Sequence, residues 1–370
     1  MNILVTGAKG FIGKNLISEL RNTTEHTIFE VDMDTTDQEL SHYCTECHFV
    51  YHLAGINRPE TDDEFMKGNF GFTSLLLDKL ASFGNKAPIL ITSSIQAELD
   101  NLYGKSKLAG EECLLEYSQN NDVEAYIFRL PNVFGKWSRP NYNSAVATFC
   151  YSIARGKEIT INNAAAPLRL VYIDDVVESF LDVLNAQHVK NDSSYYSVAT
   201  EYQTTVGQVA DLIQSFKDSR VTYFIPNMED ELSKKLYSTY LSFLPENDFA
   251  YPAKMNVDHR GSFTELFKTM DRGQVSVNIS KPGITKGQHW HHTKNEKFVV
   301  VQGQGVIRFR KIGEEEIIDY PVSGEAIEIV DIPVGYTHSI VNTGDTDMVT
   351  VMWANEAFDP NRPDTYFLEV

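Results

Sequence analysis

A tyrosine, a lysine and a serine in the first third of the chain have the types and spacing needed for proton transfer. Tyr103 and Lys107 are four positions apart, and residues four apart lie on one face of a helix. The Lys107 ammonium would then lie beside the Tyr103 phenol and lower its pKa from about 10. Ser94, at the end of an apolar run, could hydrogen-bond the same substrate oxygen. This set predicts proton transfer to or from an alcohol or ketone oxygen, and the alternative is a solvated helix face.

Three histidines and a glutamate nearer the end of the chain form a second set. His289 and His291 are two positions apart, so on a strand both point to the same face. Glu296 and His338 come from neighbouring predicted strands. Three imidazoles and a carboxylate suit Zn²⁺, Fe²⁺ or Mn²⁺, whereas isolated histidines are more often structural. The spacing predicts a divalent metal site, with Zn²⁺ as the first choice.

A glycine-rich loop between a predicted strand and a predicted helix is suited to a dinucleotide. An apolar strand at residues 2–7 runs into this loop, and an amphipathic helix follows. Small residues allow a tight turn and a close approach of the backbone to a pyrophosphate, and the helix N-terminal N–H groups meet the phosphates. The predicted cofactor contacts are Gly7, Gly10, Phe11, Ile12 and Gly13.

Two further strand ends complete the predicted cofactor site. Asp32 follows the second strand, where an acidic side chain usually binds the adenosine ribose hydroxyls and favours NAD over NADP. The alternative is an ordinary aspartate at a strand end. Residues 49–55 have the pattern of a third parallel strand with small residues at its end, and we assign Leu53 and Ala54 to the cofactor site.

The pattern of apolar residues predicts two domains of different class. Strands and helices alternate from residue 2 to the helix that begins at Asp174, which predicts an α/β doubly wound parallel sheet of the Rossmann kind. Two prolines without apolar periodicity mark residues 244–254 as a linker. Short β-rich runs with turn signals follow and predict an all-β barrel. The predicted domains are therefore 1–243 and 255–370.

Composition limits the classes of function. The net charge is −19 over 370 residues, without the basic excess that nucleic-acid binding requires, so we expect no nucleic-acid partner. No apolar run approaches the roughly 18 residues of a membrane span, and a strand pattern begins at once, so we expect no membrane association and no signal peptide. Four scattered cysteines favour a reducing cytoplasm.

Several segments in the first part of the chain carry a family resemblance. They are Thr6–Gly13, Tyr51–Gly55, Ser94, Tyr103 with Lys107, Arg129–Gly135 and Arg169–Asp175. In this order they resemble the extended short-chain dehydrogenase/reductases that act on nucleotide sugars. The resemblance implies Tyr103 as the acid/base, Lys107 as its activator and cofactor-ribose partner, and Ser94 as a donor to the substrate oxygen. It also implies that Asn132 and Arg169 contact the sugar nucleotide.

The second part of the chain carries two overlapping resemblances. His289, His291, Glu296 and His338, with their flanking glycines, resemble the two cupin motifs, which bind metal. The segments 258–265 and 283–290, in contrast, are similar to the dTDP-4-keto-6-deoxysugar 3,5-epimerases, which are metal-free cupins.

The metal-free resemblance would assign different roles to the same region. It would make His289 the base, Lys297 the partner of the enolate oxygen, and Arg260 a ligand of the nucleotide phosphate. Glu296 and Lys297 are adjacent, so a regular strand cannot point both inward. We favour the metal, because Glu296 and His338 have no role in the metal-free mechanism. The base is then unassigned.

The order of the two parts resembles the bifunctional reductase–epimerases of capsule-precursor synthesis. The resemblance implies that the cupin epimerises a UDP-4-keto-6-deoxy-N-acetylhexosamine at C3 and that the reductase domain then reduces C4. The product would be UDP-2-acetamido-2,6-dideoxy-L-talose, the cofactor NADPH with NADH second, and the assembly a homodimer. Two alternatives stay open: a simple reductase with a non-catalytic barrel for dimerisation, and a regulator that senses the cofactor.

Overall fold

The computed structural model describes residues 1–187 and 194–370, and these form two compact units. The first unit comprises residues 1–214 and 235–245, and the second comprises residues 215–234 and 246–370. Residues 215–234 thus group with the second unit, although they precede the predicted linker. The domain boundaries at 243 and 255 stay a prediction. No helix in the described part of the chain is long and apolar enough to cross a membrane.

A six-stranded parallel sheet forms the centre of the first unit, which confirms the predicted α/β doubly wound fold. Its strands run in the order β2-β1-β3-β4-β5-β8. Every pairing between neighbours is parallel. The strands are β1 Asn2–Thr6, β2 Thr27–Val31, β3 Phe49–His52, β4 Ile89–Ser94, β5 Ala125–Leu130 and β8 Tyr195–Tyr196.

Successive residues of a strand point to opposite sides of the sheet, so both of its faces are apolar and helices pack against each of them. Ile3 and Val5 of β1 pack in one apolar cluster, while Leu4 between them packs in another. The helices of the chain are α1 Phe11–Thr23, α2 Asp37–Glu46, α3 Asp63–Phe65, α4 Phe72–Ser82, α5 Leu102–Asn121, α6 Ala145–Ala154, α7 Ile173–Leu184, α8 Val206–Thr222 and α9 Glu231–Ser242. A π-helical turn, Met66–Gly71, joins α3 to α4, and short 3₁₀ helices span Ile95–Glu98 and Glu246–Asp248.

A small three-stranded sheet completes the first unit. It contains β6 Asn132–Phe134, β7 Pro167–Tyr172 and β9 Tyr202–Thr205. Strand β7 runs parallel to β6 and antiparallel to β9.

Two antiparallel sheets form the second unit, as expected for the predicted all-β domain. One contains β10 Met255–Asp258, β11 Gly261–Thr269, β12 Gly273–Ser280, β14 Glu296–Gln302, β17 Ile329–Ile332 and β19 Met348–Ala354. The other contains β13 Thr285–Trp290, β15 Gln304–Lys311, β16 Ile317–Ser323, β18 Tyr336–Asn342 and β20 Tyr366–Phe367. Their apolar side chains share one core, in which Phe298 and Met348 from the first sheet pack with Ile307 and Ile340 from the second.

Candidate active site and metal centre

The glycine loop between β1 and α1 has the close contacts that require glycine. Gly7 has a φ of +66°, and a Cβ there would lie 2.8 Å from the Ala54 backbone nitrogen. A Cβ on Gly13 would collide with the carbonyl oxygen of Gly7. Glycines at these positions therefore let the loop touch the end of β3 and let α1 begin directly behind the loop.

A cavity of about 720 Å³ opens over this loop, within the range of ligand pockets. It also reaches the end of β4, the start of α5 and the loop after β6. Predicted site residues in its lining are Gly7, Gly10, Phe11, Ile12, Gly13, Leu53, Ser94, Tyr103, Lys107 and Asn132. The lining, drawn from the described residues, does not include Asp32, Ala54 or Arg169.

The Asp32 carboxylate accepts a hydrogen bond from the backbone of the glycine loop. One carboxylate oxygen accepts from the Lys9 N–H at 2.8 Å, and the other accepts from the Met33 N–H at 2.9 Å. The Lys9 ammonium forms an exposed ion pair with Asp34 at 2.6 Å. The Lys9 ammonium and the Asp32 and Asp34 carboxylates therefore lie together at this end of the loop.

Tyr103 lies in the first turn of α5, which the Asn101 side chain caps by accepting from the Gly104 N–H at 2.7 Å. The buried Ser94 oxygen accepts from the Gln96 N–H at 3.2 Å, and the Ser94 side chain lies beside the Tyr103 phenol. Burial raises the pKa of Tyr103, and the Ser94 contact opposes this shift. The sequence led us to expect a lowered pKa beside Lys107; burial instead raises the pKa of Tyr103, so the phenol holds its proton at neutral pH.

Lys107 follows one turn later on the same face of α5, as the spacing predicted. Its ammonium donates to the Thr92 carbonyl at 3.1 Å, and a Cβ on Gly55 would lie 2.9 Å from it. Burial lowers the pKa of Lys107 to about 8, and the charge of Glu111 opposes that shift. The ammonium is therefore mostly charged at neutral pH, and it lies beside the end of β3.

Asn69, which the sequence analysis did not assign a role, joins three parts of the site. Its side chain accepts from the Ile56 N–H at 2.8 Å and donates to the Ile56 carbonyl and to Ser106 at 2.9 Å each. It lies in the π-helical turn, and such turns are frequent at functional sites. The sequence feature that could have identified Asn69 as a site residue is a polar side chain within a mostly apolar helix pattern.

Glu111 lies on the same face of α5, one further turn along, and is completely buried. The Arg129 guanidinium donates to both of its oxygens, the closest contact being 2.6 Å. Ser93, next to Ser94, donates a short hydrogen bond to the same carboxylate, and the Tyr195 hydroxyl donates at 3.3 Å. This buried pair therefore joins β4, β5 and α5 beside the predicted catalytic residues.

Replacing Arg129 by Ala is expected to lower the free energy of unfolding by about 3 kcal/mol, because Glu111 would stay buried without its cation. That is the lower end of the range for a broken buried pair, since Ser93 and Tyr195 still donate to the carboxylate. Urea unfolding of the full chain measures the change. Arg21→Ala, which breaks an exposed pair with Glu30, is the control and should cost less than about 1 kcal/mol. Equal effects of the two variants would contradict the prediction.

Of the two residues predicted to contact the sugar nucleotide, Asn132 lines the cavity and Arg169 is held in an ion pair. Asn132 is exposed, lines the cavity and donates to the Arg169 carbonyl at 3.1 Å. The Arg169 guanidinium binds both carboxylate oxygens of Glu201, at 2.6 and 2.8 Å. Arg139 also lines the cavity, 4.9 Å from the ring of Tyr142, and within the described residues no carboxylate forms an ion pair with it.

The four predicted metal ligands lie together in the second unit. His289 of β13 is paired with His338 of β18, Glu296 begins β14 in the other sheet, and His291 follows β13 directly. One potential ligand atom from each lies within 4.8 Å of the others. The Nε2 atoms of His291 and His338 are each 3.4 Å from the same Glu296 oxygen. The sequence placed His291 within the strand, whereas β13 ends at Trp290; a register shift between residues 287 and 289 puts His289 opposite His338.

Unpaired buried polar atoms in this cluster fit a bound cation. The Nε2 atoms of His291 and His338 and one Glu296 oxygen are buried without a hydrogen-bond partner among the described residues. Burial lowers the pKa of His289 to about 4, so its imidazole is neutral at neutral pH. Burial raises the pKa of Glu296, but the neighbouring His291 and His338 rings outweigh this and hold that pKa well below its usual range. A neutral His289 imidazole and an ionised Glu296 carboxylate are forms that bind Zn²⁺.

The two cationic residues predicted from the metal-free resemblance lie apart from this cluster. Lys297 is exposed and forms an ion pair with Asp331 on the neighbouring strand β17. Its side chain faces away from Glu296, as expected for adjacent residues of a strand. Arg260 is exposed and forms an ion pair with Asp258 at 2.7 Å.

Comparison with known proteins agrees with this architecture. The NAD dependent epimerase/dehydratase family matches residues 3–199, and the polysaccharide biosynthesis C-terminal domain matches residues 256–366. A UDP-2-acetamido-2,6-beta-L-arabino-hexul-4-ose reductase of Pseudomonas aeruginosa is 45% identical, over 100% of this chain and 99% of its own.

Solved structures extend the likeness to the whole fold. The capsular polysaccharide assembling protein CapF from Staphylococcus aureus is 56% identical, covers 100% of both chains and has a TM-score of 0.94. A UDP-glucuronic acid 4-epimerase from Bacillus cereus, in complex with NAD, is 19% identical over 66% of this chain and 96% of its own, with a TM-score of 0.55. It shares the fold of the first unit. The chain therefore belongs to the NAD dependent epimerase/dehydratase family and carries a polysaccharide biosynthesis C-terminal domain.

Proposed function

We propose that this protein is a nucleotide-sugar 4-ketoreductase of capsular polysaccharide synthesis. The observation that carries the proposal is the convergence of Ser94, Tyr103 and Lys107 on a cavity that also borders the glycine loop. Support also comes from the full-length likeness to a UDP-2-acetamido-2,6-beta-L-arabino-hexul-4-ose reductase and to a capsular polysaccharide assembling protein.

The residues of the cavity account for reduction of a ketone. A nicotinamide cofactor, held by the glycine loop, supplies a hydride for the carbonyl carbon. Tyr103 gives its phenol proton to the carbonyl oxygen, so the ketone becomes an alcohol and the phenol becomes a phenolate. Its raised pKa suits a proton donor. Ser94 donates to the reacting oxygen, and the Lys107 ammonium favours the phenolate once it forms.

We propose that the second unit epimerises the same sugar at C3 before reduction. His289, His291, Glu296 and His338 would hold a divalent metal ion, with Zn²⁺ as the first choice. When bound, such an ion would polarise the ketone and stabilise the enolate; a base, still unassigned, would take the C3 proton, and a proton would return to the opposite face of C3. The unpaired buried nitrogens of the cluster support a metal rather than a structural role for these histidines.

The chemistry orders the two steps. A 4-ketone acidifies the C3 hydrogen, and reduction of that ketone removes the acidity and fixes the configuration. Epimerisation must therefore precede reduction. The substrate we propose is a UDP-4-keto-6-deoxy-N-acetylhexosamine, and the product is UDP-2-acetamido-2,6-dideoxy-L-talose.

Product stereochemistry tests this proposal directly. The full chain, loaded with Zn²⁺ and supplied with the 4-keto sugar and NADPH, should yield the talo product by NMR. A product with unchanged configuration at C3 would contradict the epimerase and indicate a simple reductase whose barrel is non-catalytic. Cofactor that binds but is never oxidised would indicate a regulator instead.

We propose NADPH as the cofactor, with NADH second. The Lys9 ammonium is the cation next to Asp32 and could bind a 2′-phosphate if it leaves Asp34. Asp32 itself already accepts from two backbone N–H groups, which reduces its repulsion of a phosphate.

Lys9→Ala is expected to lower the ratio of kcat/KM for NADPH to that for NADH about tenfold. This is the effect of losing one charge-assisted hydrogen bond, about 1.4 kcal/mol. Steady-state kinetics with both cofactors measure the ratio. Lys86→Ala, which changes another exposed lysine of the same unit, should leave it unchanged. A wild-type preference for NADH, or an unchanged ratio in Lys9→Ala, would contradict this assignment.

We also propose a homodimer, as the family resemblance implies. Strand β16, at the edge of its sheet, exposes Ile317, Ile318 and Tyr320, each at least 41% accessible. Exposed apolar clusters of this kind often mark interfaces. A monomeric mass by light scattering would rule out the dimer.

A further inference from the structure

The segment of residues 363–370 runs along the strand and loop that carry two of the proposed metal ligands. Strand β20 pairs with β13, with Phe367 opposite His289. Just before β20, Asp364 contacts the loop of residues 291–294 through both its backbone and its side chain. The contact joins residues 73 positions apart in the sequence.

The backbone carbonyl of Asp364 determines which nitrogen of His291 carries the hydrogen. Nδ1 of His291 lies 2.6 Å from this oxygen. A carbonyl oxygen only accepts, so Nδ1 must be the donor. In the neutral imidazole, Nε2 then has a free lone pair, and it lies 3.4 Å from a Glu296 oxygen. Two lone pairs at this distance repel unless a cation lies between them.

The carboxylate of Asp364 holds the backbone that follows His291. It accepts from the His292 N–H at 3.0 Å and from the Thr293 and Lys294 N–H groups at 2.8 Å each. The buried Lys294 ammonium donates to the Pro363 carbonyl at 2.8 Å and to the Thr365 hydroxyl at 3.1 Å, on either side of Asp364. The His291 loop and the Asp364 segment are thus bound to each other at several points.

We propose that Asp364 is a positioning residue for the metal site: it orients the His291 ring and holds it in the tautomer that leaves Nε2 for the ion. The inference rests on the proposed metal ion, and Asp364 contacts His291 and the three residues that follow it through five hydrogen bonds. Groups that bond the far nitrogen of a ligating histidine commonly set its tautomer and contribute to metal affinity.

Metal affinity of an Asp364→Asn variant tests the proposal. Asparagine has nearly the same shape and tolerates the φ of +40° at this position, but its amide would face backbone N–H groups with a donor. Metal-free full-length chains are titrated with Zn²⁺ against a chromophoric chelator and with Co²⁺ by visible absorption. The Zn²⁺ Kd of the variant is expected to rise about 10- to 100-fold, with an altered Co²⁺ spectrum. Asp359→Asn is the control and should match the wild type, because the Asp359 carboxylate accepts from the Asn361 N–H and not from the His291 loop as the structure describes it.

The outcomes separate this inference from the metal proposal itself. Wild-type protein that takes up no Zn²⁺ overturns both. Wild-type protein that binds Zn²⁺, with an unchanged Kd and Co²⁺ spectrum in Asp364→Asn, overturns the role of Asp364 alone.

A measurement on the unmodified chain applies even if the variant fails to fold. In metal-free protein labelled with ¹⁵N-histidine, ring NMR should show His291 with hydrogen on Nδ1, assigned by the signal lost in His291→Gln. Hydrogen on Nε2 alone would overturn the inference.

Discussion

Replacing Tyr103 by Phe is expected to reduce ketone reduction about 10³-fold while leaving proton exchange at C3 intact. Tyr103 lines the cavity beside Ser94 and Lys107, and its burial keeps the phenol protonated. Phenylalanine keeps the ring and its contact with Phe65, whose centroid lies 5.7 Å away, but has no proton to give. General acid catalysis of this kind contributes about 10²- to 10⁴-fold.

The variant is assayed with the 4-keto sugar in D₂O, with NADPH oxidation and deuterium at C3 followed on one sample. Reduction should fall while deuterium still enters at C3, because the proposed epimerisation uses residues of the other unit. Tyr43→Phe, which alters a half-buried tyrosine on α2, is the matched control and should behave like the wild type. Near-normal reduction by Tyr103→Phe would remove Tyr103 as the acid, and loss of deuterium entry would contradict a separate epimerase.

Removing the proposed metal ion is expected to have the opposite effect, slowing exchange at C3 while reduction continues. His338 is buried, and its Nε2 lies 3.4 Å from Glu296, so His338→Gln removes one central ligand with little change in volume. Loss of Lewis-acid stabilisation of the enolate should slow exchange at least about 10²-fold, since such charge stabilisation contributes several kcal/mol.

Stability provides a second readout for the same variant. An ion that binds only the folded state at a thousand times its Kd stabilises that state by about 4 kcal/mol. Wild-type protein should therefore contain about one metal per chain, and chelation should lower its melting temperature. His338→Gln should show neither metal nor a response to chelator, while His42→Gln, an exposed histidine on α2, should match the wild type. Full exchange at C3 without metal would favour the metal-free mechanism, with His289 as a free base.

Much of the fold was predictable because its signals are local. Apolar period and glycine spacing identified β1, α1 and the alternating strands that follow, and regular short strands identified the all-β unit. The prediction that Glu296 and Lys297 face opposite ways also depends only on the geometry of a strand. No local sequence pattern predicts that residues 215–234 group with the second unit. Tertiary contacts determine this grouping, and composition does not.

Sequence alone determined the kinds of residue at both sites: the glycine loop, the Tyr103 and Lys107 pair, and the set of three histidines and a glutamate. These depend on residue type and on short spacings along the chain, both of which can be read directly from the sequence. Only the tertiary structure decided the state of those residues. Burial keeps the Tyr103 phenol protonated, Glu201 neutralises Arg169 from 32 positions away, and Asp364 orients His291 from 73 positions away. Desolvation and long-range hydrogen bonds arise only when distant segments pack together, so no local pattern encodes them.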